Sequence, residues 1–161
     1  MRCCMEPLLS KWIGSLLTHL SQKTQPLHHR EKNQQKTKVV VINKKQVTVP
    51  VIIKYKNTTA KFDMIIDTGC SGVAISPAIA QKLGISKEEG RQTLGQIADG
   101  SKINARAVIA DKVTVGPKTS ENVELIIIPN KDGKEFGLLG MGFLKDHPHM
   151  INIKGRTINW M

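Results

Sequence analysis

Met64-Ile65-Ile66-Asp67-Thr68-Gly69-Cys70-Ser71-Gly72 is the stretch whose reading decides the fold. An apolar run delivers one carboxylate, a glycine-permitted turn follows, and Val73-Ala74-Ile75 resumes as an apolar strand. A strand built this way presents Asp67 at the floor of a cleft. The sequence on both sides has the texture of β structure.

Upstream, Val39–Ile42 reads as a strand, Asn43-Lys44-Lys45 as a turn, and Val47–Tyr55 as a second strand. Lys56-Asn57 turns the chain, and Ala60–Ile66 returns as the strand that ends at Asp67. Downstream, Ser76 is placed to cap a helix over Ala78–Leu83. Pro77 suits its first position and Gly84 its close. Gln92–Ala98 and Ser101–Val108 flank Asp99-Gly100, a hairpin signal. Lys112–Val115 and Val123–Ile128 make a further pair around Gly116-Pro117. Phe136–Leu139 is short and apolar, Met141–Asp146 suits a helical turn, and Met150–Ile153 with Arg156–Trp160 suits a closing hairpin. The expected class is all-β, with many short strands and one or two short helices.

The charge belongs mostly to the beginning of the chain. The net charge is +11, yet residues 1–45 alone hold nine Lys/Arg against two Glu, a balance of +7. The remainder is modestly basic, and aromatics are only 4% of the chain, so base stacking is poorly supported and no nucleic-acid partner is expected. Residues 1–36 read as a basic, partly amphipathic tail and polar linker, and 37–161 as one domain. Within the tail, residues 8–20 place Leu8, Leu9, Trp12, Ile13, Leu16, Leu17 and Leu20 near helical spacing, which suits weak contact with a membrane surface or a partner. Lys11 interrupts that stretch and no clear small-residue cleavage site follows it, so it makes a poor secretory signal, and both cytoplasm and cell envelope remain open. The three cysteines (Cys3, Cys4, Cys70) give no disulfide framework, and the histidines show no metal-ligand spacing with them. No metal and no cofactor are expected.

Three features in order carry a resemblance to a known family. Apolar-apolar-Asp67-Thr68-Gly69 comes first, followed by an apolar strand and the Ser76-Pro77 helix. Next is the glycine-tipped hairpin Ala98-Asp99-Gly100-Ser101. Last is Leu138-Leu139-Gly140-Met141-Gly142-Phe143-Leu144. Across residues 38–161 the chain resembles the retropepsin-like aspartic proteases, in particular the small bacterial single-domain type. The resemblance implies the retropepsin-like acid protease barrel, equivalent to half of a pepsin, and aspartic endopeptidase activity on peptide or protein substrates. It implies that Asp67 is catalytic, that Thr68, Gly69, Cys70 and Ser71 support its loop, that Ala98, Asp99, Gly100 and Ser101 form a flap, and that Leu138, Leu139 and Gly140 pack beside the cleft.

The chemistry of that family needs two carboxylates sharing one proton, and this chain has one Asp-Thr-Gly. The expectation is a two-fold homodimer with one Asp67 from each subunit, with Thr68 bonding across the axis. The terminal strands near Val39 and Ile158 are the expected interface. Many retroviral members carry Ala and then Asp after the Asp-Thr-Gly, and Arg and then Asn after the Leu-Leu-Gly. Here these are Cys70, Ser71, Met141 and Gly142. The Asp–Arg pair is therefore missing, and support is expected from packing and the Ser71 hydroxyl. These departures also motivate an alternative, a peptide-binding module that keeps the fold and cleaves weakly or not at all. A third reading makes the basic tail the working part, acting on nucleic acid or a membrane surface.

Overall fold

The computed structural model describes residues 35–42, 46–96, 100–130 and 132–161. These fall in one unit, Lys32–Met161. The tail at 1–34, including the amphipathic stretch 8–20, and the turn at 43–45 lie outside the described residues. The chain is all-β. In order it forms β1 Gln35–Lys38, β2 Val40–Ile42, β3 Gln46–Tyr55, β4 Thr58–Ile66, β5 Val73–Ile75, α1 Pro77–Lys82, β6 Arg91–Gln96, β7 Lys102–Val115, β8 Lys118–Ile127, β9 Gly137–Leu139, α2 Met141–Leu144, β10 His149–Asn152 and β11 Thr157–Trp160.

Period-two burial shows why these segments are strands. On β3, Val49, Val51, Ile53 and Tyr55 are buried while Ile52 and Lys54 face out. On β4, Phe62 and Met64 turn in and Lys61 and Asp63 turn out. The larger sheet runs β2-β3-β4-β9-β5-β8-β7-β6, and β3 also pairs with β7 through Ile52↔Thr114, Ile53↔Val113 and Lys54↔Lys112. That extra pairing closes β3, β4, β9, β5, β8 and β7 into a six-stranded barrel. Its interior holds Ile53, Met64, Val73, Ile75, Leu125 and Leu139, all fully buried. Each such side chain contributes about 1.5–3 kcal/mol by leaving water.

Helix α1 is fixed at both ends. The buried Ser76 hydroxyl accepts the Ile79 N–H at 3.4 Å and also the Phe136 N–H at 3.1 Å, so one side chain caps the helix and ties it to the approach to β9. Pro77 occupies the first turn, and Gly84 closes the helix at φ +75°, a conformation that only glycine adopts freely.

Two local readings change. Residues 102–108 and 112–115, read as parts of separate strands, belong to one fourteen-residue strand, β7. Asp111 and Lys112 are both exposed, so the inward side switches from Val108 and Ala110 to Val113 and Val115. The strand bends there without ending, opposite Asn122 at φ +54°. Gln35 and Lys36, read as linker, lie in β1. Their composition is polar and carries no strand pattern. They are held by pairing with β11, and the Trp160 indole N–H donates to Thr37 Oγ1 at 2.8 Å. Val39 and Ile158, near which the terminal strands are expected to meet a second subunit, are buried within their own chain, in and beside the separate sheet β1-β11-β10.

Candidate active site

Strand β4 ends at Ile66, and the next residue is Asp67. Its N–H donates to Leu139 O at 3.1 Å, extending the β4–β9 ladder by one bond. The chain then turns sharply, with the Cys70 N–H donating to Asp67 O at 3.1 Å. Within this turn the Gly69 N–H donates to Asp67 Oδ1 at 2.9 Å. The carboxylate is thus oriented by main chain, and a Cβ on Gly69 would stand 3.2 Å from that same oxygen. Asp67 itself is half-buried, while Thr68, Gly69 and Ser71 are exposed.

The loop is backed by β9, which lies between β4 and β5. Ile65↔Leu138 and Ile66↔Leu139 pair in parallel, and Val73↔Leu139 and Ala74↔Leu138 pair antiparallel. Gly140 follows immediately, and a Cβ there would sit 2.3 Å from both Cys70 O and Gly72 O. The Met141 N–H donates to Cys70 O at 2.8 Å, so the start of α2 also holds the loop. Cys70 is half-buried, and its thiol donates to Gly72 O at 3.4 Å. Burial first, and then the nearby Asp67 charge, push the thiol pKa up, so Cys70 is a poor thiolate at neutral pH. Ser71, expected to brace the loop, has no side-chain hydrogen bond among the described residues. The bracing comes from main-chain bonds and glycine contacts.

Cross-strand partners share a face of the sheet. The row Ile66, Leu139, Val73, Leu125, Val108 faces the core. The adjacent row, Ile65, Leu138, Ala74, Ile126, Ala107, faces the other way and continues the side of the pleat on which Asp67 lies. Ile65, Leu138 and Ile126 are half-buried, and the small Ala74 between the last two is fully buried. Gly72 is tight against Ile126, whose Cδ1 would lie 2.8 Å from a Cβ at that position. Of this row, only Leu138 is expected beside the cleft from the sequence; Ile65, Ala74 and Ile126 join it through pairing.

The two strands expected to flank Asp99-Gly100 pair with each other. β6 and β7 pair from Arg91↔Ala107 to Gln96↔Lys102, with Gly100 at φ +84° in the connection. Ala98 and Asp99 lie outside the described residues, and Gly100 and Ser101 are exposed. The connection holds the five residues 97–101 between paired ends, longer than a two-residue Asp-Gly turn. Among the described residues, no group of His, Cys, Asp and Glu is arranged to hold a metal ion.

With this geometry in hand, comparison with known proteins is informative. The family model described as "Aspartyl protease" matches residues 49–143, from β3 through the Asp67 loop and β9 into α2. No curated protein matches the chain. Among solved structures, the chain is similar to a retropepsin-like aspartic protease from Rickettsia conorii, with a TM-score of 0.60 and 19% identity over 78% of this chain and 89% of that one. At that identity the likeness establishes the retropepsin-like fold.

Proposed function

Because the chain belongs to the aspartyl protease family, we propose that it is an aspartic-type endopeptidase whose active site is completed by a homodimer, with one Asp67 from each subunit. The observation that carries this reading is the Asp67 loop itself. A single carboxylate is oriented by the Gly69 N–H, backed by β9, and set beside exposed Thr68 and an apolar row.

Two such carboxylates brought close together hold one proton between them. The ionised member removes a proton from a water molecule, and the resulting oxygen attacks the scissile carbonyl carbon. The protonated member donates to the carbonyl oxygen, giving a neutral tetrahedral diol. Collapse of the diol breaks the C–N bond: the carboxyl that took a proton from water gives it to the leaving nitrogen, and its partner takes back a diol hydroxyl proton, so the pair again holds one proton. The Thr68 hydroxyl bonds across the two-fold axis and keeps the loops in register. The hairpin around Gly100 closes over the peptide and excludes water. Ile65, Leu138 and Ile126 offer apolar surface to substrate side chains beside the scissile bond, so peptides with aliphatic or aromatic residues there are favoured.

The test is hydrolysis of an apolar peptide library by wild type and Asp67→Asn over pH 3–8. The wild type should cleave with a bell-shaped pH profile, and the variant should lose at least about a hundredfold. Ser71 and Met141 stand where many retroviral members carry a charged pair, and among the described residues Ser71 makes no side-chain hydrogen bond, which favours a second reading, a binding module of the same fold. A wild-type dimer that binds these peptides and leaves them intact at every pH would establish that reading instead.

A further inference from the structure

We propose that the outward face of the sheet β1-β11-β10 is a docking surface for an anionic lipid bilayer. Lys36, Lys38, Lys154 and Arg156 meet the headgroups, and Met150 and Ile153 enter the boundary beneath them.

Register decides which side chains share this face. The rows Lys38, Thr157, Asn152 and Lys36, Asn159, Met150 alternate with the row Thr37, Ile158, Ile151. Thr37, Ile158 and Trp160 are buried, so the alternate rows look outward. Lys36, Lys38, Met150 and Asn152 are exposed there. The turn between β10 and β11 adds Ile153, Lys154 and Arg156, all exposed. Strand pairing consumes main-chain groups at sheet edges, so a second subunit added to an edge leaves this face open.

Charge and apolar exposure coincide on it. Residues 35–38 and 149–160 hold four Lys/Arg and no Asp or Glu. Among the described residues none of these four cations enters an ion pair, whereas Lys56, Lys82, Arg91, Lys112 and Lys134 each have a carboxylate partner. The same region carries four of the eight exposed large hydrophobics among the described residues: Val40, Met150, Ile153 and Met161. Val40 continues the outward alternation of Lys36 and Lys38, and Met161 that of Thr157 and Asn159.

An anionic bilayer answers both features. Its surface charge attracts each nearby Lys or Arg, and its headgroup boundary takes up exposed aliphatic side chains. A single-stranded nucleic acid would be met by stacking aromatics, and Trp160, the aromatic residue of this sheet, is buried. From sequence, the amphipathic stretch 8–20 suits the same kind of surface, and the chain leads from it into β1. Two weak contacts on one chain hold far better than either alone.

The test floats the full chain with vesicles of phosphatidylcholine alone, or with about 30% phosphatidylglycerol, in about 0.1 M salt. Wild type should bind only the anionic vesicles. Lys36→Gln/Lys38→Gln and Lys154→Gln/Arg156→Gln should each lower partition on the order of tenfold or more, from about fivefold per cation. Ile153→Ser leaves the charge unchanged and should lower it about threefold or more. Lys54→Gln/Lys61→Gln removes the same charge from the exposed side of β3 and β4 and should change partition less than about threefold. Melting curves confirm that each variant is folded. A wild type that leaves anionic vesicles unbound, or equal losses from the Lys54/Lys61 variant and the sheet variants, overturns the proposal. Sheet variants that bind like wild type place the contact elsewhere in the chain and overturn it as well. An Ile153→Ser variant that binds vesicles like wild type, with sheet-dependent binding of a single-stranded oligonucleotide, assigns the face to nucleic acid and overturns the lipid assignment.

Discussion

At the scale of single residues, the site and the fold's acid sensitivity are set by different carboxylates. Asp67 is oriented by one main-chain N–H and otherwise open. Glu89 is the opposite case. It accepts from Lys56 and from the Tyr55 hydroxyl, the latter at 2.6 Å, so it joins the turn after β3 to the loop after α1. Lys56 foremost, and then Tyr55, hold the Glu89 carboxyl at about 2 instead of its ordinary 4.5. The folded value lies below the unfolded one, so this contribution to stability is fully present above about pH 4.5 and is lost as pH falls toward 2. His147 adds in the same direction, because burial keeps its imidazole below the usual 6.5 and folding disfavours its protonation. Glu89→Gln should therefore be less stable than wild type near neutrality and converge on it toward pH 2. Denaturation midpoints measured from pH 2 to 7 check this, and a constant difference across that range would refute it.

At the scale of elements, the decisive packing is β9 against the Asp67 loop. Gly140 has no room for a methyl group, since two carbonyl oxygens of fixed main chain lie 2.3 Å from where it would be. Gly140→Ala should push β9 and the loop apart, cost about 1–3 kcal/mol of stability or more, and lower peptidase activity at least about tenfold. Thermal unfolding together with activity tests it, and a variant with wild-type melting and wild-type rates would show that the two elements are not so tightly opposed. How much of this was legible in the sequence follows the same logic. The strand leading to Asp67, the Ser76-Pro77 cap and Gly84 are local signals, and each is readable in a few residues. That Leu138-Leu139-Gly140 packs beside the loop came from resemblance, because parallel pairing of β9 with β4 has no local signature. The bend in β7 was misread as a break because two consecutive outward residues, Asp111 and Lys112, mimic the end of a strand. β1 was missed because Gln35-Lys36-Thr37-Lys38 contains nothing apolar, and its partner lies at the other end of the chain.

At the scale of the whole molecule, the chain forms a closed barrel with a separate three-stranded sheet. It holds one Asp-Thr-Gly loop where the proposed chemistry needs two. The central claim is that neither Asp67 works without the other, and mixing subunits tests it most directly. Wild type is allowed to exchange subunits with an equal amount of Asp67→Asn, and total peptidase activity is measured against the same amount of wild type alone. If each site needs both carboxylates, only dimers of two wild-type subunits cleave, and random exchange leaves about half of the activity, falling further as the variant is added in excess. Activity that stays at the wild-type level after exchange has been verified would contradict the account, because each subunit would then be acting alone.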